Sequence, residues 1–496
     1  MTIIINQSLA MGMFPDRLKI AKIKPIYKKD DPHLPDNYRP ISLLPAISKV
    51  FEKVAYIQVY KYFTDNKLFY KSQYGFRQLH STELAALEIT DRIYIDLDNK
   101  KIPLAIFLDL SKAFDTIDHK TLLCKLNHYG INGIALNWFN SYLTNRKQYV
   151  QFNDKNSKLE IITTGVPQGS ILGPLLFIIY MNDISKVTDK FHFTLYADDT
   201  SLTEPLCTFT SSLEDKHVLA ETINHELSKI CEWLALNKLS LNVKKTKMMV
   251  FHYRQRNISN LLPTLKINNI PIEHVKEFNF LGIVLDECMT WNAHVNEIAC
   301  KVARTVGTMK RLKRFLPPSI LKLLYNSLVI PYINYGILTW GTKLKRISKL
   351  QKWAIRTITN SKYRAHTDPL CKKLKILHAR DIFRLAQLKL YYKYTKHTLP
   401  AYFDNMFEPI EVKHDHDTRN RDDPQYELPN TESANLSIRY SIPTLLKETP
   451  DSILHNMKTI EKLQNFSKFT KNFMIASYNE VCNKLNCYIC DYVQDV

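Results

Sequence analysis

The chain has 496 residues, 45% of them apolar and 11% aromatic, with a formal net charge of +20. That length and apolar share suffice for several hydrophobic cores and exclude a disordered or low-complexity chain. No apolar run approaches the roughly 20 residues that span a bilayer, the N-terminus lacks a secretory leader pattern, and nine scattered cysteines suit a reducing, intracellular setting better than a disulfide scaffold.

Prolines at 25, 32, 35, 40 and 45 keep Ile20 to Phe51 in short extended runs such as AKIKPIY and NYRPISLL. Lys49 to Asn66 then places Val50, Val54, Ile57 and Tyr60 at helical spacing, and Ser81 to Asn99 does the same through Leu84, Leu87, Ile89 and Ile93. Leu104 to Leu110 (LAIFLDL) is a near-continuous apolar run, the pattern of a buried central strand. A helix is predicted from about Asp118 to Tyr129, with Gly130 as its stop. Gln148–Phe152 and Leu159–Thr163 flank the turn-rich NDKNS and predict a hairpin, and Ile171 to Asp183 reads as helix. Phe191–Tyr196 and Thr200–Thr203 flank Ala197-Asp198-Asp199, a second hairpin with both acids at its tip. Glu214 to Leu236 predicts a long amphipathic helix and Met248–Tyr253 a strand; further strands surround Asn268-Asn269 and cover Phe278–Leu285. From Trp291 to about Lys396 only helical patterns remain, broken at Pro317-Pro318 and near Asp368-Pro369. An acidic, proline-containing linker runs to about Glu432, and weaker helical patterns follow.

The charge is unevenly placed. Between Asn296 and Pro400 there are 23 Lys and Arg against three acids, which leaves 45 of each sign elsewhere. An excess confined to one helical segment reads as a surface that tracks a nucleic-acid backbone. The turn Tyr196-Ala197-Asp198-Asp199 carries the strongest chemical signal. Adjacent carboxylates between apolar runs repel each other unless a cation offsets them. Asp109, within LAIFLDL, would complete an oxygen-lined cage for a hard divalent ion such as Mg²⁺. Two such ions, about 3.5–4 Å apart, activate a hydroxyl and stabilise leaving pyrophosphate. The pattern reads as a nucleic-acid polymerase.

Several motifs, all in one order, resemble the reverse transcriptase domain of non-LTR retrotransposons, most closely the jockey-like group, over about Phe14 to Lys396. NYRPISLLPAISKVFEK and QYGFR are similar to the fingers motifs, AIFLDLSKAFDTIDH and GVPQGSILGPLLFIIYMND to the first two palm motifs, and YADDT to the catalytic hairpin. LNVKKTKMMVF is similar to the lysine-bearing motif after that hairpin, and FNFLGIVLD to the primer-grip-like strand. The resemblance implies an α+β right-hand polymerase, with fingers and an antiparallel palm sheet, an all-α thumb and a helical C-terminal region. The boundaries expected are 1–103 for the fingers and N-terminal approach, 104–290 for the palm with part of the fingers, 291–397 for the basic thumb, and 398–496 for the linker and C-terminal region.

The same resemblance implies an RNA-directed DNA polymerase that joins dNTPs to a DNA primer or target 3′-hydroxyl along an RNA template, with Mg²⁺ as the expected ion and Mn²⁺ as an alternative. It implies no membrane partner and a place in the nucleus and cytoplasm. Asp109, Asp198 and Asp199 match the metal-binding acids, whereas Asp115 and Asp118 read as turn or helix-cap residues. Phe114 stands at the steric-gate position, where its ring would clash with a 2′-hydroxyl; a core aromatic is the ordinary alternative. Gln168 and Gly169 would line the nucleotide pocket. Arg39 and Arg77 are candidates for the triphosphate, with Lys22, Lys24, Lys28 and Lys29 competing. Lys245 would protonate pyrophosphate, contact a template phosphate, or stand as an exposed charge. Lys310, Arg311, Lys313 and Arg314, with Lys349, Lys352 and Arg356, would lay charge along a duplex without reading bases.

Complete elements of this group usually place an apurinic-like endonuclease ahead of the polymerase. None is read here, so the chain is expected to polymerise without nicking its target, or to be a fragment or decayed copy. A catalytically silent nucleic-acid-binding remnant is the rival reading, disfavoured by the intact acids, Phe114 and the PQG loop. Cys482, Cys487 and Cys490, spaced C-x4-C-x2-C, offer an incomplete zinc pattern.

Overall fold

The computed structural model describes residues 1–206, 213–255, 264–408, 428–431 and 434–479. Its organising element is the strand Ile102–Leu108, buried along its whole length. Alternate side chains of a strand face opposite ways, and here both ways lead into core. Leu104, Ile106 and Leu108 enter a cluster built around the helix Leu172–Met181. Ala105 and Phe107 enter another, with Ile89 and Ile93 of the helix Thr82–Asp98 and with Phe280. Two-sided burial is why this stretch of sequence is apolar without alternation.

Ile102–Leu108 is the middle strand of a five-stranded sheet. On one side it pairs antiparallel with Asp199–Leu206, which pairs antiparallel with His192–Tyr196. On the other it pairs antiparallel with Lys247–Val250, whose outer neighbour Glu273–His274 runs parallel. The antiparallel palm sheet expected from sequence is present, with one parallel pair at its edge. In the second sheet Ile20–Tyr27 lies between Tyr38–Leu43 and Arg146–Phe152, which also pairs with Glu160–Ile162 in the expected hairpin. The helices Ala46–Asp65, His119–His128 and Leu213–Leu236 also fall where the apolar spacing places them.

Two expectations are corrected and one is refined. Phe278–Leu285 is not one strand but a hairpin, Glu277–Phe280 with Ile283–Asp286. Its turn is Leu281-Gly282, at φ 48° and 82°, the left-handed pair that closes a two-residue hairpin; leucine there hides the turn from sequence inspection. The expected break near Asp368-Pro369 is present, between the helices Lys345–Ile358 and Thr367–Leu374, and the proline lies in the first turn of the second, where it forfeits no helical hydrogen bond. Asp199 is not at the hairpin tip: it begins a strand and pairs with Tyr196, leaving Ala197-Asp198 as the turn.

The helical region packs Asn292–Leu312 against Lys345–Ile358, with the side chains of Val302, Val306 and Ile355 in one core. Residues after 400 return to the first half of the chain. Asp91, fully buried on the helix Thr82–Asp98, accepts hydrogen bonds from Tyr402 Oη (2.7 Å), Ser437 Oγ (2.7 Å) and Arg439 (2.9 Å). Asp98 on the same helix accepts from the Asn430 amide (3.0 Å) and Thr431 Oγ1 (2.9 Å). Most of the expected acidic linker, with Cys482, Cys487 and Cys490, lies outside the described residues. No helix among the described residues is long and apolar enough to cross a membrane.

Removing one partner of a buried ion pair strands the other charge, at a cost of about 3–5 kcal/mol. Asp91→Ala should therefore lower the free energy of unfolding, measured by denaturant titration, by an amount in that range and make the chain after 400 the first target of limited proteolysis. Unchanged stability would show that the carboxylate does not anchor that region.

Candidate functional site

The sheet register brings the acids together. In the antiparallel pairing of Ile102–Leu108 with Asp199–Leu206 the last pair is Leu108 with Thr200, so one step further sets Asp109 beside Asp199. Asp198 stands next to them in the turn. Asp109 and Asp198 line a cleft of about 970 Å³, also walled by Arg39, Phe114, Gln168 and Lys245. Asp199 lines a smaller cleft of about 440 Å³ with Asp109, Lys245 and the hairpin residues Phe278 to Gly282. Asp109 thus faces both clefts, with one acid of the pair in each.

Charge crowding is visible in the titration of the pair. Burial, then the charge of Asp109, holds the Asp198 carboxyl above its ordinary range, while Arg39 and Lys28 pull it back. Asp199 reaches solvent, yet the protein around it and then the charges of Asp198 and Asp109 push it up to about 6. Three hard oxygen donors, with the proton affinity of Asp198 and Asp199 raised, are a donor set that fits a divalent cation such as Mg²⁺ or Mn²⁺. Lys245 Nζ, 3.8 Å from Asp109 Oδ2, supplies a mostly exposed countercharge.

The hairpin turn is clamped from behind by the QYGFR segment. The Tyr74 amide donates to Leu195 O (2.7 Å) and the Leu195 amide to Ser72 O (2.9 Å). Gln73 Oε1 accepts from the amides of Gly75 (2.8 Å) and Ala197 (3.3 Å). A Cβ on Gly75 would collide with the Ala197 backbone, so only glycine lets the clamp close. Gln73 and Gly75 are positioning residues that the sequence reading did not single out. Their presence inside a quoted motif was the available signal.

Phe114 lies partly buried on Phe177, ring centroids 4.3 Å apart and nearly parallel, with Phe76 edge-on at 6.1 Å. The Gln168 amide donates to Asp115 Oδ1 (2.8 Å), and Gln168 O accepts from the Ser42 amide (2.7 Å), which ties this loop to the strand Tyr38–Leu43. Gly169, at φ 116°, is exposed and lies against Ser42 O, where a side chain would not fit. Asp115 is therefore more than a turn residue, whereas Asp118 is the expected helix cap, accepting from the Thr121 amide at 3.0 Å.

Two arginines are placed elsewhere than expected. Arg77 is not in the wall of the larger cleft: its guanidinium donates to Tyr70 O (2.7 Å) and Gln73 O (3.3 Å) and covers the Phe69 ring, holding the clamp segment instead. Arg356 donates to Ala365 O (2.8 Å) and braces the loop after its helix. Arginine's fork satisfies loop carbonyls as readily as phosphates, which sequence cannot separate. Of the other basic candidates, Lys310, Arg311, Arg314, Lys349 and Lys352 are exposed, with Lys310 over the Trp353 ring, and Lys313 donates to Asn360 (3.0 Å).

A family model described as reverse transcriptase (RNA-dependent DNA polymerase) matches residues 26–285. The chain is 28% identical over 393 residues to the probable RNA-directed DNA polymerase from transposon X-element of Drosophila melanogaster, covering 77% of this chain and 42% of that protein. It is likewise 28% identical over 395 residues to the RNA-directed DNA polymerase from mobile element jockey of the same species, covering 76% and 41%. The chain thus spans less than half the length of these relatives. A solved telomerase from Candida tropicalis aligns at 12% identity and TM-score 0.39, over 91% of this chain and 64% of that one.

A carboxylate whose folded pKa lies above its unfolded value, about 3.9 for aspartate, favours the fold when protonated. That contribution is present below about pH 4 and is lost as pH rises through about 6. Without divalent ions at neutral pH, Asp199→Asn should melt at a higher temperature than the parent, and the difference should shrink as pH falls. No difference at neutral pH would mean that the acids do not repel one another in the metal-free protein.

Proposed function

The chain belongs to the reverse transcriptase family, and from that premise we propose that it extends a DNA 3′-hydroxyl with dNTPs along an RNA template, as the polymerase of a non-LTR retrotransposon. The observation that carries this reading is the register that sets Asp109 beside Asp199, with Asp198 in the adjoining turn. On this reading residues 1–103 and part of 104–290 serve as fingers, the rest of 104–290 as palm, 291–397 as thumb, and 398–496 as a linker and appendage that braces the fingers–palm junction.

Asp109, Asp198 and Asp199 would hold divalent ions, Mg²⁺ or the similar Mn²⁺. When bound, these supply activation of the primer hydroxyl and charge stabilisation of the departing pyrophosphate. Arg39 and Lys28, the cations that act on Asp198, would meet the triphosphate from the fingers side. Phe114, pinned by Phe177, would lie beneath the incoming sugar and exclude a 2′-hydroxyl by contact. Gln168, oriented by Asp115, would hold the sugar or phosphate, with the Gly169 backbone beside it. Lys245 would give its proton to pyrophosphate as the bond breaks. Lys310, Arg311, Arg314, Lys349 and Lys352 would follow duplex phosphates with no base preference.

Primer extension on an RNA template tests the reading. Asp198→Asn should cut incorporation by roughly 10³-fold or more, several kcal/mol of lost charge stabilisation, while primer–template binding persists. Binding by the parent chain without any incorporation would overturn it in favour of a silent nucleic-acid-binding protein. Phe114→Val should narrow the preference for dNTPs over rNTPs by about 10–200-fold, the scale on which a packing contact discriminates. An unchanged ratio in a single-nucleotide competition would remove Phe114 from the gate.

A further inference from the structure

Among the described residues, one group of three His, Cys, Asp or Glu brings its possible ligand atoms within 4.8 Å of one another: His252, Glu287 and Cys288. It lies apart from the carboxylates of the polymerase clefts. His252 follows the palm strand Lys247–Val250, and Glu287 and Cys288 follow the hairpin strand Ile283–Asp286, just before the helix Asn292–Leu312. The backbone fixes the two segments together, since the His252 amide donates to Glu287 O (3.0 Å) and the Glu287 amide to Lys276 O (3.0 Å).

We infer that His252, Glu287 and Cys288 form a site for a zinc-class divalent ion, which staples the palm sheet to the base of the helical region.

The donor chemistry favours that ion. A thiolate and an imidazole are borderline-soft ligands that suit zinc and disfavour Mg²⁺, and a carboxylate oxygen is a further ligand that zinc accepts. The tautomer of His252 is already set: its Nδ1 lies 2.9 Å from Tyr253 O, and a carbonyl only accepts, so Nδ1 carries the proton. That leaves the Nε2 lone pair for a metal, the arrangement by which a supporting hydrogen bond orients a histidine ligand. His252 Nε2 and Glu287 Oε2 stand 3.9 Å apart, too far for a hydrogen bond. Ligand atoms on a tetrahedral zinc ion sit about 3.3–3.8 Å apart, given bonds near 2.0–2.3 Å, so the observed gap is close to that of a shared ion.

Both donors are largely withdrawn from solvent: His252 is buried and the Glu287 side chain is mostly so. His274, on the edge strand beside Lys247–Val250, has a buried Nε2 with no hydrogen-bond partner and lies within electrostatic reach of both Glu287 and His252. It is a candidate for a fourth position, which water could equally fill. Burial, then Glu287 and Asp286, push the Cys288 thiol above its ordinary range, with Arg254 and Lys276 pulling it back; a coordinating metal would itself deprotonate the thiol. An ion bound here would join the segment that carries His252 to the one that carries Glu287 and Cys288 and would add its binding free energy to folding.

The test is metal content of the full chain, purified reduced with zinc and dialysed, a readout independent of polymerase activity. The parent should retain a zinc ion that Cys288→Ser and His252→Ala each lose, with affinity lower by more than about 10²-fold, beyond what loss of a mere supporting partner costs. A Cys482→Ser, Cys487→Ser, Cys490→Ser triple variant and Asp198→Asn should both keep that ion, which separates this site from the C-terminal cysteines and from the polymerase acids. Cobalt loaded into the parent and into the triple variant should show a thiolate charge-transfer band in both, a second signal that does not depend on how well Cys288→Ser folds. Absence of retained zinc in the parent, equal zinc in the parent and both single variants, or loss confined to the triple variant would each overturn the inference.

Discussion

Three carboxylates held together against their own repulsion are the constraint around which the molecule is built. Asp109, Asp198 and Asp199 meet because the strand that carries Asp109 is buried on both faces and cannot slip. A one-residue change of register would turn every core side chain of that strand toward the wrong core. The hydrophobic effect thus fixes the position of groups that electrostatics alone would drive apart. The raised proton affinities of Asp198 and Asp199 measure the opposing force, which a divalent cation relieves.

The remaining parts make this end of the sheet usable. The Ser72–Gly75 segment holds the turn from behind, with Gly75 needed for close approach and Gln73 bonding the turn amide. On the open side, the Gln168 loop is tied to the strand Tyr38–Leu43 through Ser42, and Phe114 is set by its stack on Phe177. The chain after 400 closes the other flank: Asp91 and Asp98 anchor it to the helix that covers one face of the palm sheet. Basic residues divide between two tasks. Arg77 and Arg356 are used up by backbone carbonyls inside the protein, whereas Arg39, Lys245 and the exposed lysines of the helical region face clefts or solvent.

Much of this was legible in the sequence for a physical reason in each case. The apolar run LAIFLDL could only be a strand buried on both sides, and a pair of acids between apolar runs could only be tolerated at a charged or metal-binding site. Helices such as Thr82–Asp98 followed from spacing, and the structure adds a serine cap, with Ser81 Oγ accepting from the Leu84 amide at 3.2 Å. The hairpin turn at Leu281-Gly282 was not legible, because leucine at positive φ is rare and is imposed by its surroundings.

By itself, then, the sequence determined the order of elements, the identity of the acids and the family, since these rest on local periodicity and on residue types that chemistry restricts. Only the tertiary structure decided which acid faces which cleft, which arginines are spent on the scaffold, and that His252 meets Glu287 and Cys288. Those outcomes depend on strand register and on contacts between residues far apart in the chain, and a one-dimensional pattern carries neither.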